Sequence, residues 1–353
     1  MTVDDLDTPA LLVDLDAVER NIDRMQRYCD EHGIALRPHI KTHKLPALAH
    51  RQIAAGARGI ACQKLGEAEV MTAAGVRDVT VTFPLVGRAK AERFAALAAE
   101  HAMTAVGDSL AVAEGLSAAL VRAGTRARFL VDCDTGLGRT GVQSPAEAVE
   151  LARAVDRLPG LVYAGVLTYP TTPDAGPTFA AMRDAVEAAG MPVETVSGGG
   201  TPNALRTHEL PFVTELRVGT YVYGDRACLT DGTVSLDDCA LRVRATVVSR
   251  PTGGRAILDA GSKALSSDPV GGHPSADGFG LVVEHPRARI YALNEEHGYV
   301  DVGECPEPPR VGDVVTIVPN HACAVTNLHD TVVARRAGRV VATWEVAARG
   351  RLA

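Results

Sequence analysis

Eight short apolar runs, each separated from the next by a helix-like stretch, constrain this chain more than any other feature of its sequence. The runs are residues 34–40 (IALRPHI), 58–62 (RGIAC), 78–82 (DVTVT), 102–106 (AMTAV), 127–133 (ARFLVDC), 161–167 (LVYAGVL), 192–196 (PVETV) and 212–218 (FVTELRV). Their length and composition read as strands. The segments between them are rich in Ala, Glu, Arg and Leu. Residues 91–100 and 146–155 repeat their apolar positions at three- and four-residue steps, the period of an amphipathic helix. Gly56, Gly75 and Gly124 fall where such helices should stop. Eight strand–helix units predict a (β/α)8 TIM-type barrel; the count also allows a doubly wound open sheet. In a barrel, chemistry gathers at the C-terminal ends of the strands, so the residues just after each run are the ones to inspect.

Past residue 235 the texture changes. CALRVRATVVSR, RAILDAG, GLVVEHPRARIYAL and DVVTIVP are strand-like, with Gly, Pro and Asp turns and little helical period. This predicts a smaller all-β C-terminal domain over residues 236–353. The opening PALLVDL is also strand-like, so residues 1–13 are grouped with it and the barrel is assigned residues 14–235. The 353 residues suffice for both. With 46% apolar and 22% charged residues and a net charge of −7, the chain reads as an ordinary soluble protein, with neither nucleic acid nor membrane as a partner. No signal peptide and no apolar stretch of spanning length is visible, so a cytoplasmic location is expected. The seven cysteines are irregularly spaced without a CxxC, which argues against a disulfide framework. Only Cys323 has a context that points beyond a small buried apolar residue.

RPHIKTHK (residues 37–44) follows the first barrel strand. A lysine there projects into the barrel mouth, where a rigidly mounted, partly desolvated amine suits aldehyde cofactor chemistry. Lys41 and Lys44 compete, and strand alternation favours Lys41. The plainer reading is a basic loop, with His39 and His43 as polar contacts. Ser197-Gly198-Gly199-Gly200-Thr201 follows the seventh strand and Gly219-Thr220 the eighth. One glycine run reads as a loop; two on adjacent strands read as a phosphate cup of backbone donors. Gln63, after the second strand, is either a further polar contact or a capping side chain. His321 and Cys323 follow the strand VVTIV two residues apart. In extended chain such a pair points one way, and imidazole with thiolate suits Zn²⁺. On their own the two read as a structural histidine and a core thiol.

DTPALLVDLDAVERNI, RPHIKTHK and ACQKLGEAEVM resemble the start of the D-threonine aldolase and D-serine dehydratase family. That family has the alanine-racemase-type pyridoxal-phosphate (PLP) fold, fold type III, a barrel followed by a β domain. DTGLGRTGV, VSGGGTP, ELRVGTYVYGD, LDAGSKALSSD, NEEHGYV and PNHACAVTNLHD resemble further family segments in the expected order, so the likeness covers nearly the whole chain. It implies a PLP-dependent lyase with Lys41 as attachment point and base, and the two glycine turns on the phosphate. It implies Arg139 against the ring phenolate oxygen and Tyr169 facing the pyridine nitrogen. It implies a metal on His321 and Cys323, Zn²⁺ or alternatively Mn²⁺. His297, in NEEHG, is either near the same site on the substrate side or a polar loop residue. The expected substrate is a small D-amino acid with a β-hydroxyl, and the expected assembly a homodimer. The leading expectation is a D-serine/D-threonine-type dehydratase, which releases a 2-oxo acid and ammonia. The alternative is a D-threonine aldolase, which releases glycine and an aldehyde. Cys323, in place of an acidic ligand, resembles the dehydratase side. An amino-acid racemase or a non-catalytic PLP-binding protein is the remaining option. Residues 168–178 and Ala324 depart from the family pattern.

Overall fold

The computed structural model describes residues 2–270 and 278–353. The chain divides into two compact units. One comprises Met25–Lys41, Pro46–Gly219 and Arg351–Ala353; the other comprises Met1–Arg24, Thr42–Leu45 and Thr220–Gly350.

After β1 (Ala10–Asp14), which belongs to the second unit, come the strands of the first. They are β2 (Ala35–Leu36), β3 (Ile60–Cys62), β4 (Asp78–Val81), β5 (Ala102–Gly107), β6 (Ala127–Cys133), β7 (Leu161–Thr168), β8 (Thr195–Gly199) and β9 (Glu215–Arg217). All eight apolar runs form strands. They make one parallel sheet in the order β2-β9-β8-β7-β6-β5-β4-β3. Backbone bonds from Arg58 N to Leu36 O (2.9 Å) and from Ala61 N to Pro38 O (2.8 Å) join its two edges, so the sheet closes as a barrel. The runs are nearly continuous apolar stretches because both strand faces are covered. In β6 every residue but Arg128 is buried. The two periodic segments form the helices Arg88–Ala98 and Pro145–Asp156. The second starts on Ser144, whose side chain accepts the Glu147 amide at 3.2 Å. Gly56, Gly75 and Gly124 all have positive φ just past helix ends, as expected.

Charged residues inside the barrel are paired. Glu215, only 2% exposed, takes Arg37 Nε at 2.7 Å and the Ser197 hydroxyl at 2.6 Å. Arg37 also bonds Asp78 at 2.7 Å. Arg217 donates to Ser197 Oγ and, at 2.8 Å, to the Thr168 carbonyl. Burial alone would raise the Glu215 pKa, but Arg37, the Ser197 hydroxyl and Arg217 outweigh it and hold the carboxyl below its ordinary 4.5. The stabilisation from this carboxylate is therefore whole at neutral pH and fades only as the pH falls through that depressed value. Glu215→Ala removes the buried partner of Arg37 Nε and of the Ser197 hydroxyl, and is expected to destabilise the protein by about 3 kcal/mol, read as a lower denaturation midpoint at pH 7.

The second unit holds a nine-stranded sheet. Its other strands are β10 (Leu241–Thr252), β11 (Arg255–Leu258), β12 (Leu281–Val282), β13 (Arg289–Leu293), β14 (Gly298–Asp301), β15 (Val314–Val318), β16 (Thr331–Arg336) and β17 (Arg339–Glu345). The order is β11-β14-β13-β12-β15-β10-β1-β16-β17, and a further β11–β10 pairing closes the first six strands on themselves. The opening run, β1, lies antiparallel to β10 and parallel to β16. This is the all-β architecture read from the sequence after residue 235. Among the described residues, no helix is long and apolar enough to cross a membrane.

Candidate functional site

The lysine-bearing segment leaves β2 still paired to β9, through Arg37 N to Leu216 O (2.9 Å) and His39 N to Val218 O (2.7 Å). His39 is held at both ring nitrogens. Nε2 lies 3.0 Å from Thr82 Oγ1, and Nδ1 accepts the Lys41 amide at 3.4 Å. Lys41 sits in the 3-10 turn Ile40–Thr42, half-buried, with Nζ 5.8 Å from the centre of the Tyr169 ring. Among the described residues its amine makes no hydrogen bond or ion pair. Lys44 is different: it is buried, and its Nζ donates to the Ala348 carbonyl at 3.4 Å. His43 is buried and accepts the Leu45 amide through Nδ1 at 3.0 Å.

Tyr169 follows β7 directly, and its ring is shared. The Arg139 guanidinium carbon stands 5.0 Å from its centroid, within cation–π range. Residues 134–142 place that arginine by local bonding. Asp134 Oδ1 accepts the amides of Gly136 and Leu137 at 2.9 Å and of Gly138 at 3.2 Å. Burial pushes the Asp134 pKa upward, but these amides and Gln143 outweigh it and keep the carboxyl below its usual range.

The glycine turn after β8 lies beside the same ring. Gly199 and Thr171 lock together: Gly199 N donates to Thr171 Oγ1 and Thr171 N to Gly199 O, both at 2.7 Å. A Cβ on Gly198 would lie 2.6 Å from Thr171 Oγ1. Gly200 has φ +122° and its open side faces Pro170 and Tyr169, which a Cβ would meet at 3.7 and 3.8 Å. Ser197 is fully buried, its hydroxyl engaged by Glu215 and Arg217. Thr201 is buried. Gly219 closes the barrel unit, and Thr220 opens a 3-10 turn, its carbonyl accepting the Tyr223 and Gly224 amides. Gln63 is half-buried. Its side chain donates to the Thr82 carbonyl at 3.4 Å, and its amide donates to Glu67 at 2.7 Å.

In the β unit the extended geometry expected for His321 and Cys323 is not found. His321 is the extended N-cap (φ −142°) of the helix Ala322–Leu328, and Cys323 already lies in that helix. The chain turns here because Asp225 accepts the Ala322 amide at 3.0 Å. The turn still brings the two side chains together. Their hydrogen bond raises the His321 pKa to about 9, with burial opposing and Asp268 adding to the rise. His321 Nδ1 lies 2.7 Å from Asp268 Oδ2, so the imidazole is held between that carboxylate and Cys323. Thr42 Oγ1 lies 3.2 Å from Cys323 Sγ. The other six cysteines are buried and, among the described residues, form no disulfide; burial pushes the Cys29 and Cys239 thiols up to about 12. Among the described residues no cluster of three or more His, Cys, Asp or Glu side chains is arranged to hold a metal ion. His297 is exposed in the turn between β13 and β14, its carbonyl accepting the Asn294 amide at 2.9 Å. Sequence reasoning missed Thr171, Arg217, Asp225 and Asp268. Asp268 closes the motif LDAGSKALSSD, but nothing local ties it to a residue 53 positions away.

A parallel barrel with an available amine at the C-terminal ends of its strands is the arrangement of a barrel enzyme. The family model "Alanine racemase, N-terminal domain" matches residues 13–227, and "Putative serine dehydratase domain" matches residues 240–334. The chain belongs to the alanine racemase N-terminal domain family, as the motifs lead one to expect. It is 36% identical to the D-threonine aldolase of Arthrobacter sp, over 98% of this chain and 93% of the relative. It is 34% identical to the D-threo-3-hydroxyaspartate dehydratase of Delftia sp. (strain HT23), over 96% of this chain and 97% of the relative. The crystal structure of D-threonine aldolase from Filomicrobium marinum superposes with a TM-score of 0.91 at 34% identity, covering 100% of this chain and 98% of that one. D-threo-3-hydroxyaspartate dehydratase has also been solved as a His→Ala variant, and as a Cys→Ala variant, two positions further along, in the metal-free form.

Proposed function

We propose that this chain is a PLP- and metal-dependent lyase on small D-β-hydroxy amino acids, acting as a D-serine/D-threonine-type dehydratase. The observation that carries the PLP reading is the cluster at the barrel mouth. Lys41 and Arg139 flank one aromatic ring, Tyr169, and the open face of Gly200 lies against it. This donor set fits the cofactor: an available amine for the aldehyde, a permanent cation for the phenolate oxygen, and a glycine turn for the phosphate. Bound PLP supplies an electron sink for the bond broken at the substrate α-carbon. Lys41 Nζ holds the cofactor and takes the α-proton. Arg139 fixes the ring's orientation. Tyr169, a neutral phenol, would leave the ring nitrogen without the full positive charge that a carboxylate partner maintains.

The donor set on the helix Ala322–Leu328 fits a borderline-soft divalent ion, Zn²⁺ or Mn²⁺. An imidazole and a thiol stand side by side, and Asp268 holds the imidazole at Nδ1. Such an ion supplies Lewis acidity toward the β-hydroxyl. The spacing of His321 and Cys323 equals that of the histidine and the cysteine replaced in two solved variants of D-threo-3-hydroxyaspartate dehydratase, the cysteine variant in its metal-free form. This favours elimination. The second reading, retro-aldol cleavage, is favoured by the aldolases among the relatives. Product analysis on a panel of D- and L-β-hydroxy amino acids decides. A 2-oxo acid with ammonia supports the dehydratase, and glycine with an aldehyde replaces it by the aldolase. No turnover of any D-isomer would sink both.

Gly198→Ala gives a separate check on the phosphate turn. The added methyl group must displace Thr171, which holds Gly199, and is expected to raise the PLP dissociation constant about tenfold in equilibrium dialysis. An unchanged constant would remove that turn from the cofactor site.

A further inference from the structure

The end of the barrel away from Lys41 contains a cavity of about 190 Å³. The first residues of five strands line it, namely Asp78, Ala102, Ala127, Thr195 and Glu215, so it opens at the N-terminal ends of the strands. Lys41, Gln63, Tyr169 and Gly200 all follow C-terminal ends.

Four guanidinium groups belong to the cavity wall. Arg37 is engaged by Glu215 and Asp78, and Arg128 by Glu194 at 2.9 Å. Arg58 and Arg126 are not: among the described residues neither makes an ion pair, and the side-chain bond of Arg126 is to the Leu161 carbonyl at 3.0 Å. The wall carboxylates Asp78 and Glu215 are taken by Arg37, so they do not neutralise this pair. His101 also lines the cavity, and its Nδ1 is buried with no hydrogen-bond partner. A polar atom buried without a partner is unfavourable unless something not of the chain meets it.

We propose that this cavity binds a small oxyanion, inorganic phosphate or a short dicarboxylate, held by Arg58, Arg126 and His101. Guanidinium forks match the paired oxygens of both anions. A space this small lies below the range of pockets for larger organic ligands, about 300–1,000 Å³. The site is independent of the proposed lyase chemistry.

The test is calorimetric titration of the PLP-loaded protein, whose cofactor-phosphate turn is already filled. Potassium phosphate and potassium succinate are titrated separately, at fixed ionic strength against potassium chloride. Saturable binding of one anion per chain is expected, and whichever anion binds tighter names the source. Arg58→Gln and Arg126→Gln should each weaken it about tenfold. Among the described residues the Arg58 side chain makes no hydrogen bond or ion pair, so that variant should keep the parent's thermal midpoint. Absence of saturable binding by both anions, or binding unchanged in both variants, would overturn the proposal.

Discussion

Lys41→Ala is expected to cut turnover of D-β-hydroxy amino acids by at least about 10³-fold while the protein keeps its denaturation midpoint. One amine is assigned both the attachment of the cofactor and the removal of the α-proton, so its loss removes two functions at once. The fold should tolerate the change. Lys41 is half-buried, and among the described residues its amine makes no hydrogen bond or ion pair whose loss would destabilise the barrel. The same substitution at Lys44 should behave in the opposite way. Its side chain is buried against the Ala348 carbonyl, so the variant should lose stability. Steady-state assays and thermal melts on the two variants check the assignment. Near-parental turnover in Lys41→Ala would refute it.

His321→Ala is expected to leave the protein without its divalent ion and to lower turnover at least about 10²-fold, with PLP still bound. Asp268→Ala should act less severely through the same imidazole. Losing the partner of Nδ1 is expected to weaken metal affinity about 10–100-fold, so excess Zn²⁺ or Mn²⁺ should restore the activity. Metal analysis by mass spectrometry, paired with assays before and after metal addition, reads both outcomes. If chelation left the parent fully active, the metal assignment would fall and the racemase reading would gain ground.

The barrel was legible because burial on both faces writes each strand as an apolar run. Residues 127–133 show it, where six of seven are buried and the run is also the strand. Strands whose residues carry less local signal were harder to bound. In β2 only Ala35 and Leu36 have ladder partners, and β12 is equally short. The residues after the strands were legible as types of chemistry, but their geometry was not. Cys323 was expected on extended chain, and it lies in a helix whose start is capped by Asp225, 97 positions earlier. No local pattern encodes a cap of that kind. The interior pair Glu215 and Arg217 escaped notice for a related reason. In the run FVTELRV the charges look like surface residues, and only barrel closure shows that Arg37 and Ser197 are there to meet them. Asp268 likewise is one acidic residue among 43 in the chain until the fold sets it beside His321.

The central claim is that the ε-amine of Lys41 carries the cofactor. Borohydride reduction of the purified protein, followed by proteolysis and peptide mass spectrometry, tests it most directly. A pyridoxyl group fixed on the peptide containing Lys41, and absent from Lys44, is the predicted result. An adduct on another lysine, or none in a protein saturated with PLP, would contradict it.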